Sequence, residues 1–203
     1  MSAQALRPRT TGLLLAAGAG RRFGRPKGTV ADAEGPWVVR AAQALLDGGC
    51  GDVLVVSGAQ AEEVETLLGT APDAVTAIRC GTWEAGMGES LRAGLTALAT
   101  RGRTTPLQAL VHLVDLPDVG GEVVARVLEA AGAGADALAR AAYSGRPGHP
   151  VLLGRDHWEG VLARADGDAG ARGYLRRVAP VLVECGDLAS GADVDVPRDG
   201  PGV

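Results

Sequence analysis

The chain has 203 residues, enough for one good hydrophobic core and short for two. Its 46% hydrophobic and 22% charged residues are those of a soluble globular protein. A formal net charge of -4 without a basic stripe excludes nucleic acid as the main partner.

Three Trp, two Tyr and one Phe leave the core to Ala, Val and Leu. Cys50, Cys80 and Cys185 are odd in number and widely spaced, which fits a reducing cytoplasm better than a disulfide framework or a zinc site. Arg7 and Arg9 precede an apolar run, but Leu13–Ala17 is shorter than the roughly 7–15 residues of a signal-peptide core. No segment approaches the roughly 18 apolar residues of a membrane helix. The expectation is a cytoplasmic protein with no membrane partner.

The first predicted strand is Gly12–Ala17, and it stops at a glycine loop, Gly18-Ala-Gly20-Arg-Arg-Phe-Gly24, that carries Arg21, Arg22, Arg25 and Lys27. Of the 20 basic residues, Lys27 is the only lysine. A Walker A loop would need glycine followed directly by Lys and then Ser or Thr, whereas Lys27 lies between Pro26 and Gly28. A dinucleotide loop would place its third glycine one position away and expects an acid at the end of the second strand. A third reading is a loop that wraps a nucleoside triphosphate: glycines admit phosphate oxygens to backbone N–H groups, and Arg and Lys neutralise the charge. A solvated basic turn is the plain alternative. The retained lysine favours the triphosphate, because a point charge and a planar fork are not interchangeable.

A helix is predicted at Pro36–Leu46, then a strand at Val53–Ser57 that ends in Ser57-Gly58, without the acid that a dinucleotide site expects. A helix at Gln60–Leu68 and a strand at Val75–Arg79 follow. Trp83 to Leu95 passes from a glycine-containing loop into a helix at Glu89–Ala99, with Ser90 near its start, where a cap is common. The strand Ala109–Val114 runs into Asp115-Leu-Pro117-Asp118, and Pro117 stops it so that Asp115 points into the crevice at the strand ends.

A helix at Glu122–Ala131 and a strand at Ala137–Ala142 lead to Gly145-Arg-Pro-Gly148-His149-Pro150-Val-Leu-Leu. A helical region around Trp158–Val178 contains Gly167-Asp168-Ala-Gly170-Ala171-Arg172, and a last strand spans Val181–Cys185 before Asp193-Val-Asp195-Val-Pro197-Arg-Asp199. His149 reads equally as a hydrogen-bonded turn residue or a substrate contact; His112 and His157 read as structural. Apolar strands alternating with amphipathic helices predict one three-layer α/β domain over residues 1–203, a mostly parallel sheet with helices on both faces.

LAAGAGRRFGRPK resembles the LAAGxSxRMGxxK signature of MobA-like NTP transferases, particularly the molybdenum-cofactor cytidylyltransferase branch. The Trp83–Leu95, Asp115-Leu-Pro117, Gly145–Leu153, Gly167–Arg172 and Asp193–Asp199 stretches resemble that family's later motifs, in its order. Gly20 and Phe23 depart from its Ser and Met, and Val196 from a Thr.

The resemblance implies a Rossmann-like nucleotidyltransferase fold and transfer of CMP from CTP to the phosphate of molybdopterin, with pyrophosphate released. It implies nucleotide contacts at Leu15, Ala16, Ala17, Gly18, Ala19, Gly20, Arg22, Lys27, Gly86 and Ser90, with Arg22, Lys27 and Asp115 catalytic. It also implies Mg²⁺ on Asp115 and Asp195, and acceptor contacts from His149, Asp168 and Arg172. A molybdenum hydroxylase receiving the product is the implied partner. Rival expectations are a GTP-using or other-acceptor transferase of the same fold, a non-catalytic hydroxylase accessory protein, and a nucleotide-binding oxidoreductase.

Overall fold

The computed structural model describes residues 10–165 and 167–195, and leaves the side chains of Arg103 and Asp168 undescribed. Arg7, Arg9 and the end of the last motif (Val196, Pro197 and Asp199) lie outside the described residues. Along the chain, β1 (Thr10–Ala16) is followed by a short ribbon of β2 (Ala31–Asp32) and β3 (Gly35–Pro36). Then come α1 (Trp37–Asp47), β4 (Asp52–Ser57), α2 (Ala61–Leu68), β5 (Val75–Arg79), α3 (Met87–Ala99), β6 (Gln108–Leu113) and α4 (Gly121–Ala131). The chain continues through β7 (Leu138–Tyr143), β8 (Arg146–Gly154), α5 (Trp158–Leu162), α6 (Arg172–Val178) and β9 (Val181–Glu184).

Seven strands form one sheet in the order β5-β4-β1-β6-β8-β7-β9. The neighbours of β1, and β4 with β5, pair in parallel; β8 alone runs antiparallel to both β6 and β7, and β7 pairs in parallel with β9. All seven residues of β1 are buried, as expected of a central strand covered on both faces. Leu14, Val53, Val55 and Leu110 meet α1, α2 and α4 on one face, while Leu13, Leu54, Val56 and Val111 meet α3, α5 and α6 on the other. Helix α3 lies so close to β1 that a Cβ on Gly94 would come within 2.5 Å of the Leu13 side chain, so a larger residue there would force the core to shift.

Two stretches are resolved beyond the predicted elements. Trp158–Val178 is two short helices with a turn between them. Gly145–Leu153 is mostly strand β8, whose Pro, Gly and His disguise its alternation. Arg92 pins this region to α3 by donating to the carbonyls of Leu162 (2.7 Å) and Ala165 (2.6 Å). The cysteines are free and buried, and no described helix is long and apolar enough to cross a membrane. His157 is structural, joined to the Tyr174 hydroxyl and the Asp136 carbonyl at 2.8 and 2.9 Å.

His112 is fully buried in β6, and neither ring nitrogen has a hydrogen-bond partner among the described residues. Burial pushes its pKa from 6.5 down to about 4, with Asp118 acting weakly the other way. Between these values the unfolded chain binds more protons than the folded one. Stability is therefore complete above pH 6.5 and declines towards pH 4, by about 3 kcal/mol for this group. His149, pushed down to about 3 by burial and by His112, Arg140 and Arg172, acts in the same direction. Melting temperatures near pH 7.5 and pH 5 should separate clearly, and His112→Leu should narrow the gap. An unchanged gap in the variant would assign the acid sensitivity elsewhere.

Candidate functional site

The carboxyl ends of β1 and β6 open onto two adjoining cavities, where an open parallel sheet holds its ligands. One, of about 360 Å³, is lined by Leu15 through Arg21, Lys27, Trp83, Glu84, Gly86, Met87, Ser90 and Leu113 through Asp115. The other, of about 290 Å³, is floored by Leu91, Val111, Val151, Leu153 and Leu175 and edged by Arg140, His149, Arg172 and Asp193. Leu15, Met87, Leu113 and Asp115 belong to both, so Asp115 stands on the wall between them. Every expected nucleotide residue except Arg22 lines the first cavity, and His149 and Arg172 line the second.

The glycine loop is built rather than slack. Gly20 has φ +59°, and a Cβ there would overlap the Arg25 carbonyl at 1.9 Å, which explains glycine in place of serine. Gly24 closes the turn by donating to the Gly20 carbonyl at 2.9 Å. Phe23 packs at a tilt against Trp37 with ring centroids 5.7 Å apart, tying the loop to the start of α1. A Cβ on Gly18 would meet nothing within 4 Å, so its backbone presents an open face to the first cavity.

The four cations of this loop have different partners. Arg21 lines the first cavity, while Arg25 turns back to donate to the Thr29 carbonyl at 2.8 Å. Arg22 is not at the cavity wall; it bonds Asp195 Oδ2 at 2.9 Å with its side chain 83% exposed. Lys27 Nζ bridges Asp115 Oδ2 at 2.8 Å and Asp195 Oδ1 at 2.9 Å. Burial alone would depress the Lys27 pKa, but the hydrogen bonds and charges of both carboxylates together outweigh it, so the amine stays above the ordinary lysine value. The Lys27 hydrogen bond and charge hold Asp195 below the usual carboxylate range.

Asp195 reaches this cluster on a returning segment. The Val194 N–H donates to the Asp115 carbonyl at 3.1 Å, and Asp118 accepts from the Ser190 N–H and Oγ. Asp118, the acid outside the motif, thus holds this segment. No group of three or more His, Cys, Asp and Glu side chains among the described residues could hold a metal ion by itself. Asp115 and Asp195 nevertheless converge on one cation, the Lys27 amine, with hard oxygen donors. This pair therefore fits a divalent ion whose remaining ligands come from phosphate.

Ser90 is not a cap: α3 starts at Met87, and Ser90 is buried in its first turns at the cavity wall. Ala17 is almost fully buried, its methyl 2.8 Å from where a Cβ on Gly58 would stand. Asp168 lies in the short 3-10 turn Gly167–Ala169. Arg140 escaped the sequence reading, although an arginine within the small apolar strand LARAAY is itself a signal. Its Nε donates to the Gly148 carbonyl at 2.7 Å, and burial together with the charge of Arg172 lowers its pKa.

A family model described as MobA-like NTP transferase domain matches residues 12–181. Nicotine blue oxidoreductase of Paenarthrobacter nicotinovorans is 36% identical over 198 residues, covering 93% of each chain. The crystal structure of a Mycobacterium tuberculosis Rv0371c homologue from Mycobacterium sp. strain JC1 superposes with TM-score 0.73 at 26% identity, covering 94% of this chain and 92% of that one. That of Rv0371c from Mycobacterium tuberculosis H37Rv in complex with manganese superposes with TM-score 0.64 at 24% identity, with coverages of 94% and 92%.

Proposed function

The chain belongs to the MobA-like NTP transferase family, and from that premise we propose that it transfers a nucleoside monophosphate from a nucleoside triphosphate to an organic acceptor, releasing pyrophosphate. Fold and family are those of nucleotidyltransferases. The observation that carries the reading is the convergence of an open glycine loop, Lys27 and two carboxylates at the wall shared by two cavities.

The nucleotide takes the first cavity, with its phosphates against the amides of Gly18, Ala19 and Gly20. An acceptor oxygen, entering from the second cavity, attacks the α-phosphorus; the bond to the β-phosphate's bridging oxygen breaks and pyrophosphate leaves. Lys27, Arg21 and Arg22 receive the charge that collects on the leaving group. Asp115 and Asp195 would hold a divalent cation, taken to be Mg²⁺, which supplies charge neutralisation at the reacting phosphate. Arg140 and Arg172 make no ion pair among the described residues, and the cavity floor below them is apolar. They suit an acceptor with an anionic group on an apolar body, with His149 and Asp168 as further contacts.

The finer assignment is CTP as donor and molybdopterin as acceptor, with a molybdenum hydroxylase receiving the product. The base choice rests on Ala17, whose methyl occupies space that glycine would leave for a purine. Steric exclusion can discriminate strongly, whereas one methyl of lost contact gives only about 1–3 kcal/mol. The test offers each triphosphate with and without molybdopterin, measuring pyrophosphate and the mass of the product. CTP-derived product should dominate over GTP-derived product at equal concentration, and Ala17→Gly should relax the preference. A GTP-derived excess removes cytidine but not transfer. Product formed only with another acceptor removes molybdopterin alone.

The 36% identical relative supports a second reading, since its name is that of an oxidoreductase. Against it, the end of β4 offers no acid for a ribose: Ser57 spends its hydroxyl on the Ile78 carbonyl at 3.1 Å, and Gly58 follows. Oxidation of NADH or NADPH by an organic acceptor, with no pyrophosphate from any triphosphate, would favour the redox reading.

A further inference from the structure

The metal assignment above puts a divalent cation on Asp115 and Asp195, and in the structure the Lys27 amine stands in that place. Lys27 Nζ lies 2.8 Å from one carboxylate and 2.9 Å from the other, with its side chain only 13% exposed. The second oxygen of Asp195 is held by Arg22. Both carboxylates are therefore neutralised by cations from the loop that is to receive the triphosphate.

We propose that the Lys27 ammonium is a built-in stand-in for the divalent cation, filling its place until a triphosphate draws the amine away, so that metal binding depends on nucleotide. The backbone at Lys27 is well fixed for this role. It starts the 3-10 turn Lys27–Thr29, and a Cβ on Gly28 would lie 2.9 Å from the Ala16 carbonyl, so the turn is pressed against the end of β1. The four-carbon stem lets the amine swing from carboxylates to phosphate without moving that turn. An ammonium and a divalent ion do not share two carboxylates at contact distance, because the two cations would then repel each other at close range. Phosphate competes for Lys27 and Arg22 together, and so releases Asp115 and Asp195 in one event. By linkage, the metal must then raise nucleotide affinity by the same factor as nucleotide raises metal affinity.

Manganese alone is the probe, and the fall of its free-ion electron paramagnetic resonance signal is the readout, on the full chain without nucleotide, acceptor or turnover. Lys27→Met should bind Mn²⁺ at least tenfold more tightly than wild type, and Asp115→Asn added to Lys27→Met should erase the gain. Circular dichroism and melting transitions matched to wild type qualify each variant, with Lys27→Gln replacing any that misfolds. Equal Mn²⁺ affinity in wild type and the lysine variants, weak or tight, overturns the stand-in. So does a gain that survives Asp115→Asn. The proposal rests on the metal assignment of the transferase reading, but the outcomes separate. Transfer without the Lys27-dependent gain overturns this inference alone, and the gain without transfer overturns the transferase reading alone.

Discussion

Asp115→Asn is expected to lower nucleotidyl transfer by about 10³-fold while leaving the melting temperature near wild type. The substitution keeps the shape and removes the charge. Asp115 is the carboxylate common to both cavities, so its loss is felt where donor and acceptor meet. The amide oxygen can still accept from Lys27, so the ion cluster becomes a hydrogen bond and the fold is spared. The rate should not recover when Mg²⁺ is raised, and Asp195→Asn should fall nearer to Asp115→Asn than to wild type. A Mg²⁺ titration of Asp115→Asn that overlays the wild-type activity curve would move the metal elsewhere.

Lys27→Ala should cost about 10²–10³-fold in turnover, the range expected when one preorganised donor to developing charge is removed. Lys27→Arg should also be impaired. The site holds a single amine against two separate carboxylates, and a planar fork cannot reproduce that point contact. The thermal transition should shift little, since this ion cluster is partly open to solvent and such pairs add little stability. Steady-state rates at saturating triphosphate, taken alongside melting curves, separate the two effects. Near-normal turnover by Lys27→Ala would remove the central argument for the glycine loop.

The parts of the site that lie at strand ends were legible in the chain itself. An apolar run that stops at glycine, or at Asp-Leu-Pro, announces both the strand and the residue that faces the crevice, because local backbone chemistry decides both. Arg22 and Arg25 were not legible as partners of Asp195 and Thr29. A cation's partner is chosen by tertiary folding, here across 173 residues for Arg22. Strand β8 was hidden for a similar reason: pairing with β7 outweighs the poor strand propensity of its first residues, Arg146 and Pro147. Ser90 looked like a cap because α3 was expected two residues later, and Gly86 starts the helix without any side-chain cap.

The bond from the Val194 N–H to the Asp115 carbonyl joins the segment that carries one carboxylate to the residue that carries the other. Beyond β9 this segment has no ladder partner among the described residues; side-chain bonds hold it, from Asp187 to Arg126, Ser190 to Asp118 and Asp195 to Lys27 and Arg22. Held by side-chain contacts and not by a strand ladder, it is the part of the site expected to open ahead of the sheet, taking Asp195 with it. Deuterium uptake at the Val194 amide therefore counts the molecules in which the two acids are together. Binding that engages Asp195 slows that uptake, while an amide such as that of Leu14 in β1 exchanges only with global unfolding and stays unmoved. One backbone proton thus measures the assembly of the site separately from the stability of the fold.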